Sequence, residues 1–479
     1  ENYFGDTTNS SYVVRNGFRT RLANSFRAGM DYSLSENQTL TGSFLYRYST
    51  NNNEVPIRYF DHTFYPGEPR GRFLVPTLSY TERIENEKEV SPTLEYTVDY
   101  LKRFKQEGRE LKASVQFSSN DETEKADYDQ GFYNSGVFEG NTLIQRSDNT
   151  EDQQTIIFQT DYIHPFGKES KFEAGFRSQL RDISNDFLVE EFINGTWNKL
   201  TTFSNRFRYS EDVHAAYTIY GAKINKFSYQ GGLRFEYSGI NTELLETSQS
   251  NPRNYVNIFP SGHINYEFSG QNQVQISFAK RIQRPRFWDL NPFFTFADNR
   301  NIFSGNPNLN PEFTDSYEMG HIKYWEKGNI GTSIFWRHTR DVIQRVTLFN
   351  PDGTTLTQPL NLVTSDNAGI EFLFAYNPNK WLKIDGNATI FRNIIKGTYQ
   401  GEDLGADSYS WFGRIGSRIS FWKNADFQTR FNYRAPVDIP QGVQKAQYIV
   451  DIAFSKDFFS NKATFTLAAR DLFNSRRRN

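Results

Sequence analysis

Short polar turns recur along nearly the whole chain, each flanked by runs in which large apolar residues alternate with polar ones. Near the end, Tyr448, Val450, Ile452 and Phe454 alternate with Ile449, Asp451, Ala453 and Ser455. A turn at 460–462 follows, after which Phe465, Leu467 and Ala469 alternate with Thr464, Thr466 and Arg470. A period of two sends successive side chains to opposite faces of a strand. Repeated many times over segments of about ten residues, with one face apolar, it is the pattern of a transmembrane antiparallel β-barrel. The expected class is therefore all-β, the solvent on one face is a bilayer, and the job that follows is transport.

Composition supports this reading. Mean hydropathy is -0.69, and no run of 18 or more apolar residues exists to make a membrane helix. Aromatic residues nevertheless make up 16% of the chain, which suits a wet interior with aromatic girdles at both lipid interfaces. A soluble propeller or sandwich is the alternative, but its strands average about 5–6 residues, shorter than these. The net charge of -2 speaks against nucleic acid as a partner. Cysteine is absent, which excludes disulfide staples and thiolate sites.

Turns at 35–38, 103–108, 166–170, 225–227, 269–272, 326–329, 377–380, 423–426 and 460–462 each join two long strands, so about 18 strands are expected. Longer connections are expected at 50–71, 120–152, 184–203, 284–312, 349–355, 396–407 and 437–444. Alternating short and long connections implies short turns in the periplasm and long loops outside the cell. The start, Glu1-Asn2-Tyr3-Phe4, has neither the basic residues nor the apolar stretch of a signal peptide, so a processed or partial chain is expected. Residues 1–479 read as one barrel domain, with a strand expected beyond Arg476-Arg477-Arg478-Asn479.

Face assignments follow from the alternation. Phe18, Leu22, Phe26, Met30, Tyr32 and Leu34 oppose Arg19, Arg21, Ser25, Arg27, Asp31 and Ser33. The second set is assigned to the lumen, because Arg on the lipid side at the midplane costs about 2–4 kcal/mol. Likewise Leu111, Ala113, Val115 and Phe117 oppose Lys112, Ser114, Gln116 and Ser118.

No catalytic motif is present: the six histidines are scattered, and no nucleophile elbow or phosphate loop occurs. No enzyme activity, cofactor or metal is expected. The acidic run Asp121, Glu122, Glu124, Asp127, Asp129 lacks the ligand spacing of a calcium loop and reads as a solvated loop. The candidate ligand-binding surface is the outer mouth. Arg284, Arg286, Trp288 and Arg300 combine planar cations with an aromatic, which suits anionic or sugar-like ligands. Tyr59, Tyr65, Tyr133 and Trp197, with Phe60, Tyr128 and Phe132, are expected on long loops where they stack on a ligand or on each other.

Two motifs carry a resemblance. Arg281-Ile282-Gln283-Arg284-Pro285 leaves a strand, and Gly305-Asn306-Pro307-Asn308-Leu309-Asn310-Pro311-Glu312 re-enters one. Prolines 307 and 311 remove ladder donors and fix φ, so this stretch is an extended cap rather than a strand. The pair resembles the barrel of TonB-dependent outer-membrane receptors, in the style of the Bacteroidota outer membrane protein β-barrel branch. Ser365-Asp366-Asn367-Ala368-Gly369-Ile370-Glu371-Phe372 and Asp471-Leu472-Phe473-Asn474 are similar to further patterns of that family. The resemblance implies a 22-stranded barrel, with three strands before Glu1 and one after Asn479, closed by an N-terminal plug. It implies import of a scarce nutrient driven by TonB–ExbB–ExbD, contact with outer-membrane lipid and lipopolysaccharide, and a surface lipoprotein as a further partner. The chain contains no plug, so a passive pore or a structural, partner-binding component of an envelope assembly is the alternative expectation.

Overall fold

The computed structural model describes residues 2–4, 7–64, 79–292, 298, 300–350, 354–422, 424–460 and 462–475. One antiparallel sheet dominates. Its long strands are β1 (Thr7–Arg15 continued in line by Phe18–Ser35), β2 (Gln38–Phe64), β3 (Tyr80–Arg103), β4 (Glu110–Asn134), β5 (Val137–Phe166), β6 (Ser170–Ile193), β7 (Asn205–Ile224), β8 (Phe227–Leu244) and β9 (Gln249–Ser269). They continue with β10 (Asn272–Gln283), β11 (Glu312–Trp325), β12 (Gly328–Phe349), β13 (Thr355–Asn379), β14 (Leu382–Lys396), β15 (Ala406–Phe421), β16 (Ala425–Arg434), β17 (Gln447–Phe458) and β18 (Ala463–Ala469). These are the eighteen long strands expected, joined by tight turns at all nine expected places. Each strand pairs with its neighbours in sequence. Among the described residues Phe18–Ser35 of β1 pairs only with β2 and β18 pairs only with β17, while the short strand Asn2–Phe4 pairs with the start of β1 at Thr7–Asn9. Among the described residues no helix is long and apolar enough to cross a membrane. Crossing falls to strands, whose ladders pair backbone donors with acceptors where no water can.

The outward face is a continuous apolar surface. Leu233, Phe235, Ile264, Ile276, Met319, Ile334 and Ile390 are all exposed. The register aligns them across neighbouring strands: Ile264 faces Ile276, Ile276 faces Met319, and Met319 faces Ile334. On the opposite face, Gly369 lies under the Phe335 ring, where a Cβ would come within 2.8 Å of the ring and 2.4 Å of the Ile390 carbonyl oxygen. Only glycine fits there, which explains the small residue before the inward Glu371.

Several connections differ from expectation. Residues 50–64, 120–152 and 184–203 are mostly strand rather than loop. β4 and β5 run on to a tight turn at Ser135 and Gly136 (φ 51° and 78°), and β6 runs to one at Asn194 and Gly195 (φ 53° and 81°). Tyr59, Phe60, Tyr128, Phe132, Tyr133 and, on the short strand Thr196–Lys199, Trp197 therefore sit on strands, and the acidic run at 121–129 is part of β4. The physical reason is water on both faces. Above the bilayer neither face needs to be apolar, so the period of two disappears from hydropathy while the backbone ladder continues. Residues 396–407 and 437–444 contain small hairpins. The segment between β10 and β11 is irregular, as expected.

Candidate functional site

The site is built by the β10–β11 segment folding back onto the inner wall. Pro285 cannot continue the ladder, and the chain turns through a single helical turn, α1 (Phe287–Leu290). Phe287, Leu290 and Leu309 then bury themselves against Ile183, Phe207, Tyr209 and Ile240 of β6, β7 and β8. Full burial of such side chains stabilises by about 1.5–3 kcal/mol each. The Gly305 amide donates to the Asn291 carbonyl at 2.9 Å, and the Asn306 amide donates to the Asp289 carbonyl at 2.6 Å. A Cβ on Gly305 would lie 2.2 Å from the Asn291 carbonyl oxygen, so the glycine of this motif is required by close backbone approach. At the far end, a Glu312 carboxylate oxygen accepts the Ile343 amide at 2.6 Å.

Charge fixes the segment's root. The Arg284 guanidinium donates to the Glu236 carboxylate and, at 2.7 Å, to the Ser238 hydroxyl, and it lies 3.8 Å from Glu211. Arg181 reaches Glu211 at 3.5 Å, and Arg234 donates to Glu236 through Nε at 2.9 Å. Three guanidinium groups thus surround two buried carboxylates.

The segment also reaches the wall near its other edge. The Tyr59 hydroxyl donates to Asp298 at 2.7 Å, and Tyr59 is fully buried. Burial beside Asp298 holds its phenol far above the usual range. Arg300 sits 4.4 Å over the Tyr59 ring and donates to both oxygens of Asp61 at 2.8 and 2.7 Å.

Of the sequence candidates, the structure brings Arg300 and Tyr59 into contact, while Arg284 is engaged with β7 and β8. Arg286 precedes α1, is exposed, and makes no ion pair among the described residues. Trp288 is 49% exposed and lies edge-on to Phe287 at 5.6 Å. Tyr133 stacks on Tyr80 at 4.8 Å with the rings 6° from parallel. Trp197 lies under Arg146 at 4.2 Å. Tyr65 falls outside the described residues.

Sequence reasoning missed a second polar surface on the same inner face. The register sets Ile57 against Arg83, Val55 against Glu85, Asn53 against Glu87 and Asn51 against Glu89. It continues from Glu89 to Glu124 and from Glu122 to Glu151. These positions share the face of Tyr59, which touches the inward segment, so they line the lumen. They lie beyond the roughly ten residues that span the bilayer. Burial and the neighbouring Glu87 push the Glu85 carboxyl up to about 7 and that of Glu124 up to about 8. Burial and Glu122 push Glu151 up to about 7. The alternation Glu85, Glu87, Glu89 in sequence was the available signal. Among the described residues, no group of three His, Cys, Asp or Glu side chains is placed to hold a metal ion.

The fold is that of outer-membrane receptors. The chain is similar to a structure titled copper transporter OprC, with a TM-score of 0.63 at 11% identity over 99% of this chain and 75% of the other. It is similar to the ferric yersiniabactin uptake receptor FyuA of Yersinia pestis, with a TM-score of 0.55 at 11% identity over 98% and 76%. It is also similar to the alcaligin outer membrane receptor FauA of Bordetella pertussis, with a TM-score of 0.53 at 12% identity over 97% and 73%. No curated protein matches the sequence. The model of the outer membrane protein beta-barrel family matches residues 102–479. With its apolar outward face and polar inward one, this chain belongs to that family and is an integral protein of the outer membrane.

Proposed function

We propose that the chain is the barrel of a TonB-dependent receptor that binds a scarce nutrient at its outer mouth and imports it. The observation that carries the reading is the inward segment at 284–312. It is anchored at Arg284 and Phe287, latched across to Tyr59 and Asp61, and lies over a polar inner wall. The family and the similarity to copper, ferric-siderophore and alcaligin receptors support the same conclusion. Arg286 and Trp288, which the strap holds up and leaves exposed, are the groups that meet the ligand, with Tyr133 and Trp197 on neighbouring hairpins as stacking surfaces. Arg284, Arg300 and Tyr59 act as positioning residues that hold the strap. Coupling to TonB–ExbB–ExbD passes through a plug outside these 479 residues.

The test is ligand-dependent growth or uptake in cells with and without a functional TonB system. Uptake that persists without TonB, together with a steady open conductance of the whole protein in planar bilayers, would sink the proposal in favour of a pore. A second measurement separates the residue roles. Arg286→Ala with Trp288→Ala is expected to lower uptake at least tenfold while the barrel keeps its heat-modifiable migration on gels.

A further inference from the structure

The inner wall formed by β2 to β5 holds far more acceptors than donors. Glu85, Glu87, Glu89, Glu122, Glu124 and Glu151 share one face, as the register shows. The cations that reach them are few. Arg15 lies 3.6 Å from Glu85 and Arg19 lies 3.5 Å from Glu89, both from largely exposed side chains. Arg83 is fully buried and engaged elsewhere, 4.5 Å over the Tyr128 ring and donating to Gln145 at 3.1 Å.

A second observation is independent of the carboxylates. The Asn51 side-chain oxygen, on a residue 2% exposed and directly opposite Glu89, has no hydrogen-bond donor. Neither does that of Asn53, whose amide nitrogen is already given to Glu87. One oxygen of Glu151, a residue 8% exposed that faces Glu122, is also unpartnered. Buried acceptors left without donors cost about 1–3 kcal/mol each, and a wall of them is stabilised by whatever supplies donors and positive charge.

The spacing chooses the kind of cation. Side chains facing each other across a ladder stand about 5 Å apart, and diagonal ones about 7–8 Å. The carboxylates are therefore spread over three strands, and no three of them converge on one metal position among the described residues. We propose that this wall is a subsite for an organic cation, namely an extended ligand, or part of one, that bears two or more amino or guanidino groups. Each such group carries several N–H donors and a full charge, and groups spaced along a flexible chain match carboxylates spaced along a sheet. The inference rests on the receptor reading and names part of the ligand's chemistry. It places a cation-selective surface on the inner face of β2 to β5.

Binding to the purified full chain in detergent tests the subsite without TonB, so a negative result leaves the importer reading standing. The probe is spermidine, titrated calorimetrically at constant ionic strength. Saturable binding is expected at pH 8.5. Affinity is expected to fall at least tenfold at pH 6, where Glu85, Glu124 and Glu151 hold protons. Glu124→Gln with Glu151→Gln, which keeps side-chain shape, is expected to weaken binding at least tenfold at pH 8.5. Lys125→Ala, on the opposite face, is expected to leave it unchanged. The pH comparison uses the unaltered protein and so does not depend on how the variants fold. Absence of saturable binding, equal affinity in the Gln variant, or equal affinity at both pH values would overturn the proposal. So would calcium displacing spermidine at far lower concentration, which would make the wall a metal site.

Discussion

The two polar surfaces of the inner wall treat charge in opposite ways. On β6 to β8, Glu211 and Glu236 are buried but enclosed by Arg181, Arg234 and Arg284. On β2 to β5, six glutamates outnumber their cations, and buried oxygens lack donors. Both lie on one sheet with the same alternation. The difference is that the first surface is covered by a segment of the chain that brings its own arginine, whereas the second is buried with fewer cations than carboxylates. A paired, covered network is a structural latch. An under-compensated one is a surface that waits for a partner, because burying charge without compensation is costly.

The comparison breaks most readily at the latch. Replacing Arg284 by Ala leaves Glu236 and Glu211 under-compensated, and loss of one partner of a buried pair costs about 3–5 kcal/mol. The strap is expected to detach, seen as new protease cleavage within 284–312 while the barrel stays folded. Phe287→Ala, which empties the apolar anchor, is expected to cost about 3 kcal/mol by the same assay. Gly305→Ala is expected to cost about 1–3 kcal/mol through overpacking against the Asn291 carbonyl.

The acidic wall sharpens the contrast through pH. The Glu85, Glu124 and Glu151 carboxyls lie above the unfolded value of 4.5, so the folded state binds their protons more tightly. Their effect on stability is absent below about pH 4.5. It grows as a destabilisation as pH rises towards the folded values of about 7 to 8. Urea midpoints of the purified protein are expected to fall over that window. Glu124→Gln is expected to recover at least about 1 kcal/mol at pH 8.5, a pKa unit being worth about 1.4 kcal/mol, and nothing at pH 4. A flat profile would show that the wall is compensated after all. The smallest effect is expected for Lys125, 2.7 Å from Asp148 on the outer face of the extracellular extension. Its replacement by Ala is expected to change stability by less than about 1 kcal/mol, as for other exposed pairs.

What was legible in the sequence followed from the bilayer. Lipid demands an apolar face on every spanning strand, and a strand can supply it only with a period of two. Leu111 to Ser118 and Tyr448 to Ser455 therefore gave strand, face and approximate position together, and nine turns gave eighteen strands. Arg284, Pro285 and Gly305 marked the irregular segment between β10 and β11. Above the bilayer that constraint ends, and β4 and β5 could not be told from loop, because with water on both faces only the ladder, a property of two chain segments, holds them extended. The same limit hid the acidic wall. Glu85, Glu87 and Glu89 alternate visibly, but that they face Asn51, Glu124 and Asn53 depends on pairing with β2 and β4. It was likewise tertiary structure that set Arg284 against Glu236, 48 residues away, and Arg300 against Asp61, 239 away. Alternation is local and is written residue by residue. Charge compensation is a property of which strands become neighbours, and it was decided only when the sheet formed.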